Sequence, residues 1–161
     1  YDVSSADSGQ IGWSGVGQYT DTVNPCNMMT YMGAIANGGT AAVPRLILDI
    51  TTTSGSPTSW ERTEETDTLS EAGTASKVKA MMKNNVVQTY GTDRFRGLDI
   101  GAKSGTAEVG GDKRPNAWFA GFLDDPAHPY AFIVLVENGG GGASVAGEIA
   151  ATVLQACVDK F

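Results

Sequence analysis

The clearest chemical potential in the sequence lies in a run of four consecutive residues: Lys103, Ser104, Gly105 and Thr106. An apolar lead-in and a turn-rich exit predict that this run lies on a strand. Side chains alternate along a strand, so Lys103 and Gly105 share one face while Ser104 and Thr106 share the other. Such a strand can offer an ammonium group, hydroxyls and an open backbone N–H to an anionic or carbonyl-bearing ligand. Taken alone, the run favours a simpler interpretation, an edge strand with a solvated polar face.

The cysteines and the histidine do not predict a separate site. Cys26 and Cys157 have a spacing that suits neither a zinc site nor a redox pair. Both fall in helical patterns, so we expect two buried apolar thiols and no metal. His128 is the one histidine, and it lies in a turn rich in Asp and Pro. A catalytic triad with a histidine base is therefore not expected.

Two further motif matches are weak. Ser76 and Lys79 fit S-x-x-K, the pairing of an acylated serine with a lysine one helical turn later. A helix start with exposed lysines explains that match better. The glycine run at 139–142 fails the dinucleotide pattern, because position 144 is Ser where the third glycine would fall. We expect no cofactor.

Composition excludes several function classes. The chain has 161 residues, 41% of them hydrophobic, which suits one globular domain with a real core. The net charge is −7 and no basic cluster occurs, so a nucleic-acid partner or an anionic membrane surface is not expected. No apolar run approaches the roughly 20 residues of a membrane span. The start, Tyr1-Asp2-Val3, looks like a cut into a longer chain, and any membrane anchor would lie outside it.

Three helices are predicted. Asn24-Pro25 starts the first, which ends at 37–39, with a core side of Met28, Met29, Met32, Ile35 and Ala36. The second is capped by Ser70 or Thr74 and stops near Gly91. Its buried stripe is Val78, Met81, Met82 and Val86, and its solvated side holds Lys77, Lys79 and Lys83. The third covers about 144–159, with a buried side of Val145, Ile149, Val153, Ala156 and Cys157.

The remaining pattern predicts strands and loops. Residues 1–23 indicate a loop, with a short strand or turn near 11–13. Residues 43–52 indicate a strand, and residues 53–68, which include Trp60, a solvated excursion or hairpin. Three strands follow at about 98–108, 116–124 and 130–137. Their short connections make them antiparallel, and the last two are apolar on both faces, so both faces must be covered. We assign Trp118 and Phe119 to that core.

Three motifs in order resemble the C-terminal part of the transpeptidase domain of penicillin-binding proteins. They are A-I-A-N-G-G at 34–39, K-S-G-T-A-E at 103–108 and N-A-W-F-A-G-F at 116–122, with Gly17-Gln18 and Asn24-Pro25 upstream. The resemblance implies an α+β fold of the α/β sandwich type. An antiparallel sheet would be covered by helices, as in serine β-lactamases and penicillin-binding proteins. Residues 1–161 would be a partial domain, the C-terminal portion of a single transpeptidase-like domain.

The resemblance also implies what lies elsewhere. The family's serine nucleophile, in S-x-x-K, and its second motif, S-x-N, both stand far upstream of the lysine strand. This sequence contains no S-x-N, and Ser76 lies too close to Lys103, on the wrong helix. The remaining N-terminal part of the domain is therefore an expected partner.

Carried over by resemblance, the site residues have defined roles. Lys103 would supply a positive field and help move a proton to the leaving group. The hydroxyls of Ser104 and Thr106 would bind the terminal carboxylate of a D-alanyl-D-alanine stem peptide or a β-lactam, and Gly105 would keep the strand open. The Thr106 N–H would be one oxyanion donor. Glu108 would lie at the rim without a firm role.

Two other functions stay open. One is a penicillin-recognising sensor or catalytically dead homologue of the same fold. The other is an interaction domain in which the run at 103–106 is an edge strand that pairs with a partner. The enzyme and the sensor would both act on the extracytoplasmic face of a bacterial membrane.

Overall fold

Four α-helices and three strands make up the parts of the chain described by the computed structural model, residues 4–18, 21–47, 49–58 and 63–160. The helices are α1 (Ser8–Gly15), α2 (Pro25–Ala36), α3 (Ala72–Asn85) and α4 (Gly147–Lys160). The strands are β1 (Ile100–Ala107), β2 (Asn116–Leu123) and β3 (Ala131–Val136). A π-helical turn, Val86–Tyr90, continues α3, and a second, Gly142–Ala146, precedes α4.

The strands form one antiparallel sheet in the order β1-β2-β3. Lys103 pairs with Ala120, and Ala120 in turn pairs with Ile133. The predicted antiparallel arrangement is confirmed. Within the described residues β1 is an edge strand, so one side of the lysine-bearing run is open.

Helices cover both faces of the sheet, as the two-sided apolar strands predicted. On one face Phe119, fully buried, belongs to a core that includes Ala150 and Leu154 of α4. On the other face Phe122 packs in a cluster with Met32 of α2 and Met82 of α3. Trp118 is half-buried, so of the two predicted core aromatics Phe119 alone is fully enclosed.

The buried stripes of two helices differ from those predicted. In α4 the buried residues are Ala150, Ala151 and Leu154, whereas Ile149 and Val153 are 41% and 51% exposed. Ala156 is also exposed. In α3 the predicted Met81 is 63% exposed. In α3 the buried residues are the small Ala75 and the predicted Met82, so small side chains occupy buried positions in both helices.

The N-terminal prediction of a loop is wrong. Asp7 caps α1 by accepting a hydrogen bond from the Gln10 N–H at 2.8 Å, and Gln10 Oε1 accepts from the Asp7 N–H at 2.9 Å. This reciprocal capping box satisfies two backbone donors that helix formation would otherwise leave open. The glycines within residues 1–23 favoured a loop and masked the helix-capping pattern of Asp7 and Gln10.

The predicted strand at 43–52 is also absent from the described residues of that segment. Isolated bridges join Ala42 to Glu65 and Thr51 to Pro57, and Leu46 is fully exposed. The second bridge closes a tight turn that begins at Thr51, before the predicted hairpin region of 53–68. Leu48 and Trp60 lie outside the described residues. Cys26 is exposed and Cys157 is partly buried, so the prediction of two buried thiols is wrong for Cys26.

An ionic cluster ties α3 to the end of β2. Lys79 and Lys83 lie 2.7 and 2.9 Å from the Asp124 carboxylate, and Lys83 also contacts Asp99 at 2.8 Å. The hydrogen bonds that Lys83 donates to Asp99 and Asp124 raise the pKa of Lys83. Burial by itself raises the pKa of Asp124, but the hydrogen bonds from Lys79 and Lys83 outweigh it and lower that pKa. The predicted solvated lysines therefore include two that join elements.

Acid is expected to weaken this cluster. Because the pKa of Asp124 is lower in the folded protein than its ordinary 3.8, its contribution is complete well above pH 4. That contribution is lost as the pH falls through the lowered value. Partly exposed pairs of this kind are worth about 1 kcal/mol. The melting temperature of Asp124→Asn should approach that of the unchanged chain as pH drops from 6 to 3. A constant difference over that range would contradict the assignment.

Candidate functional site

The outer edge of β1 presents three backbone positions away from the sheet. The Asp99 carbonyl accepts from the Asp124 N–H at 2.7 Å, which turns its backbone toward β2. In an antiparallel strand the N–H and C=O of one residue point the same way and neighbouring residues alternate. Ala102, Ser104 and Thr106 therefore direct their backbone polar groups outward.

Side chains from two other elements reach this edge. Asn85 Nδ2 donates to the Ala102 carbonyl at 2.9 Å, and the Ser104 N–H donates to the Tyr90 hydroxyl at 2.7 Å. Gln18 Nε2, from the turn after α1, approaches the Thr106 carbonyl at a long 3.5 Å. The end of α3 thus supports the middle of the run, while the α1 turn borders its far end.

Lys103 lies at the open edge with its side chain exposed. Its Nζ donates to the Ser104 carbonyl, one of the outward-facing groups. Within the described residues no carboxylate pairs with this ammonium. A positive charge is therefore available beside the strand edge.

Thr106 is fixed from the core side and open on the other. Its Oγ1 accepts from the Gly142 N–H at 3.1 Å, which connects it to the π-helical turn before α4. Its own N–H points outward with its carbonyl, and the parts of the chain that the structure describes offer it no acceptor. That N–H is a free donor next to the Lys103 ammonium.

Gly142 is required for this arrangement. A Cβ at Gly142 would overlap the carbonyl oxygens of both Gly105 and Trp118. Backbone cannot move aside as a flexible side chain can, so even a methyl group forces the turn away from β1. The glycine run that resembled a nucleotide loop is thus a close-packed support for the 103–106 run.

We expect Gly142→Ala to lower the free energy of unfolding by about 2–3 kcal/mol through overpacking. Gly73→Ala in α3 is the matched control, because a Cβ there meets nothing within 4 Å. Alanine at a free helical position should stabilise by about 0.5–1 kcal/mol. Denaturant unfolding of both variants checks the pair, and equal stability would refute the close approach.

The structure separates the weaker motifs from this edge. Lys79 Nζ contacts Asp124 and the Ala36 carbonyl, at 2.7 and 3.2 Å, so its ammonium is engaged away from Ser76. His128 Nδ1 lies 2.9 Å from Asp125 Oδ2 within the β2–β3 turn. The hydrogen bond from His128 lowers the pKa of Asp125. Both contacts are structural.

One groove lies apart from the 103–106 run, whereas a shallow depression borders the far end of that run. A groove of about 510 Å³ runs between α2 and the β2–β3 hairpin, lined by Met29, Gly33 and Tyr130 among others. None of the residues 103–106 lines it. Glu108 borders a shallow depression with Trp13 and Gln18, near the far end of β1.

Asn85 and Tyr90 are site residues that the sequence analysis missed. Both belong to a helix predicted to end near Gly91, which is correct, but nothing in the helical pattern pointed them at β1. The π-helical turn carries Tyr90 there, and a local change of helix type has no periodic sequence signature.

No helix of the described residues is both long and apolar enough to cross a membrane. Groups of three or more potential metal ligands are likewise missing from the part of the chain that the structure describes.

The antiparallel sheet has helices on both faces and an edge strand that carries Lys-Ser-Gly-Thr. These features define the serine β-lactamase-like fold of the transpeptidase domains. A family model described as the penicillin-binding protein transpeptidase domain matches residues 3–155. The chain belongs to that family.

Relatives support this assignment at the level of sequence and structure. The chain is 32% identical over 149 residues to the peptidoglycan D,D-transpeptidase PbpA of Mycolicibacterium smegmatis. This alignment covers 88% of the chain and 29% of that protein. It is 30% identical to the PbpA of Mycobacterium tuberculosis, covering 95% of the chain and 32% of that protein. The chain thus spans about a third of the curated relatives' length.

The solved structures agree. The crystal structure of PBPA from Mycobacterium tuberculosis superposes with a TM-score of 0.81 at 27% identity, covering 98% of this chain and 39% of that one. An imipenem acyl-enzyme complex of penicillin-binding protein A from the same organism gives a TM-score of 0.80 at 28% identity, over 95% of this chain and 35% of that one.

Proposed function

We propose that this chain supplies the substrate-binding edge strand of a serine-type D,D-transpeptidase that cross-links peptidoglycan stem peptides and is acylated by β-lactams. Lys103 and Thr106 act in catalysis, and Ser104, Gly105 and Thr106 bind the substrate. The observation that carries the proposal is made at the outer edge of β1: among the described residues the Thr106 N–H has no acceptor and the Lys103 ammonium has no carboxylate partner.

The chemistry divides into two steps. A serine oxygen attacks the carbonyl of the penultimate D-alanine, the peptide C–N bond breaks, and D-alanine leaves with a proton. An amine from a neighbouring stem peptide then attacks the resulting ester and releases the serine. Each attack places negative charge on the carbonyl oxygen, which the Thr106 N–H stabilises. Lys103 provides a positive field and assists proton transfer to the leaving amine.

The serine nucleophile is assigned to the preceding part of the domain. Ser76 is exposed on α3, and its Lys79 is held by Asp124. Lys103, Ser104 and Thr106 can position a carboxylate and supply half of an oxyanion hole, but they form no covalent bond. The imipenem acyl-enzyme complex of penicillin-binding protein A from Mycobacterium tuberculosis, the relative described above, supports the acylation step of this proposal. The same proposal places the site on the extracytoplasmic side of the membrane, where peptidoglycan lies.

Labelling with a fluorescent penicillin tests the proposal. Three samples are compared on a gel: this chain, this chain with Ser76→Ala, and this sequence joined to the preceding part of its transpeptidase domain, which we call the complete domain. We expect label on the complete domain and none on either form of the isolated chain. Label on the isolated chain that disappears with Ser76→Ala would transfer the nucleophile to Ser76. A folded but unlabelled complete domain would favour the catalytically dead homologue of the same fold.

A further inference from the structure

We propose that Tyr90 is a positioning residue that commits the hydroxyl of Ser104 to donate a hydrogen bond to the carboxylate of the ligand. The inference rests on the proposed function and extends it to a residue outside the 103–106 run. The observation behind it is a chain of hydrogen bonds from the end of α3 to the outer edge of β1.

Asn85 is the first residue in this series of hydrogen bonds, and its side-chain amide has a fixed orientation. One atom of its side-chain amide lies 2.9 Å from the Ala102 carbonyl oxygen and 2.9 Å from the Tyr90 hydroxyl. A carbonyl oxygen can only accept, so that atom must be the NH2 group. Thr89 Oγ1 donates to the other amide atom, Oδ1, at 2.9 Å, which agrees. The second amide proton is therefore directed at the Tyr90 hydroxyl.

The hydroxyl of Tyr90 is then fully determined. A hydroxyl group can accept two hydrogen bonds and donate one. Tyr90 accepts from the Ser104 N–H at 2.7 Å, an obligate donor, and from Asn85. Its own proton needs an acceptor, and Ser104 Oγ lies 3.0 Å away. Ser104 Oγ therefore accepts from Tyr90, and its own proton, which has no acceptor in the part of the chain that the structure describes, can be donated to an incoming anion.

Packing prevents Tyr90 from changing this pattern. Its side chain is 8% exposed, and its ring meets Phe119 edge-on at 5.1 Å. Phe119 is itself fully buried and stacks against Phe95 and Phe132. The hydroxyl oxygen is thus held against β1 by the aromatic core, while the π-helical turn sets where the ring enters.

A Ser104 hydroxyl that is committed to donating favours a negatively charged ligand group. A hydrogen bond from a hydroxyl to a carboxylate is stronger than one between neutral groups. A Ser104 hydroxyl that spent its proton on a neighbour would instead present lone pairs to the anion. Tyr90 prevents this outcome, so it should affect how tightly a carboxylate-bearing substrate binds more than how fast the bound substrate reacts.

A double-mutant cycle in the complete domain tests the proposal. The second-order rate constant for acylation by benzylpenicillin, which includes binding, is measured for the unchanged domain, Tyr90→Phe, Ser104→Ala and the double variant. We expect Tyr90→Phe to slow acylation about tenfold when Ser104 is present and less than twofold when it is replaced. Tyr31→Phe, at an exposed position of α2, is the matched control and should change nothing.

A second readout separates positioning from general damage. With a D-alanyl thioester substrate that ends in a free carboxylate, Tyr90→Phe should raise KM and leave kcat within about twofold, because the lost hydrogen bond acts equally in the ground and transition states. Equal slowing in both Ser104 backgrounds, no slowing, or a loss confined to kcat would each overturn the inference while the proposed function stands. An unlabelled wild-type complete domain would overturn both.

If Tyr90→Phe fails to fold, Asn85→Ala replaces it. That variant frees one acceptor position on Tyr90 and allows Ser104 to turn its proton back. We expect a loss of about threefold that again requires Ser104. A loss that persists in the Ser104→Ala background would refute the chain of hydrogen bonds.

Discussion

Lys103→Ala is expected to slow acylation of the complete domain by a β-lactam at least 100-fold. The Lys103 ammonium lies at the open edge of β1 and is paired with no carboxylate of the described residues, so its charge is directed at whatever binds there. Proton transfer by a positioned side chain contributes about 10²–10⁴-fold to rate. The measurement is the second-order rate constant for labelling with fluorescent penicillin.

Two variants control this result. Lys77→Ala removes an exposed lysine from α3 and should leave the rate within twofold. Lys103→Arg keeps the positive charge but cannot release a proton, because the guanidinium stays protonated. If the field alone matters, Arg recovers most of the rate. If proton transfer matters, as we propose, Arg remains slow. A fast Lys103→Ala with an unchanged melting temperature would remove Lys103 from the mechanism.

Thr106→Pro is expected to slow acylation about 10²–10³-fold, the effect of deleting one oxyanion donor. Proline has no N–H, and the N–H of Thr106 points away from β2, so no ladder hydrogen bond is lost. The preceding residue, Gly105, tolerates the restriction that proline places on its neighbour. The substitution changes the sheet little, but it also removes the Thr106 hydroxyl, so the effect of the N–H group is the loss beyond that of a variant lacking only the hydroxyl.

Thr106→Val provides the comparison. Valine keeps the N–H and suits a strand, but it removes the hydroxyl that accepts from Gly142 and that we propose binds the carboxylate. We expect a loss of about tenfold, the scale of one hydrogen bond. Equal losses for Pro and Val would mean that the N–H carries no special role. Melting temperatures of both variants separate these effects from unfolding.

The sequence alone determined much of the fold and of the site. The two-sided apolar strands predicted at about 116–124 and 130–137, and observed at 116–123 and 131–136, required an antiparallel sheet with covers on both faces, because their connections are too short for a crossover. Asn24-Pro25 fixed the start of α2, where the Asn24 side chain accepts from the Cys26 N–H. The run at 103–106, together with the motifs at 34–39 and 116–122, indicated the family. These are local or strictly periodic signals, which survive without tertiary contacts.

The predictions that failed depend on contacts distant in sequence. Residues 43–52 have strand-like alternation, but the described residues of that segment hold one isolated bridge, from Thr51 to Pro57, and no continuous ladder, and Leu46 remains exposed. In α4 the buried residues are the alanines and Leu154 that fit against the sheet, although Ile149 and Val153 are more hydrophobic. A helical pattern determines which residues share a face but not which face is buried against the sheet, since burial depends on the shape of the opposing surface.

The support of the site was decided by tertiary structure alone. Sequence placed Ser104 and Thr106 on one face of a strand, but it could not show that β1 is open on one side within the described residues. Nor could it show that Tyr90 and Gly142, distant in sequence from each other, both hold that strand. The physical reason is that a hydrogen bond needs two atoms within about 3 Å. Only the packing of α3, the Gly142–Ala146 turn and the sheet brings these atoms together.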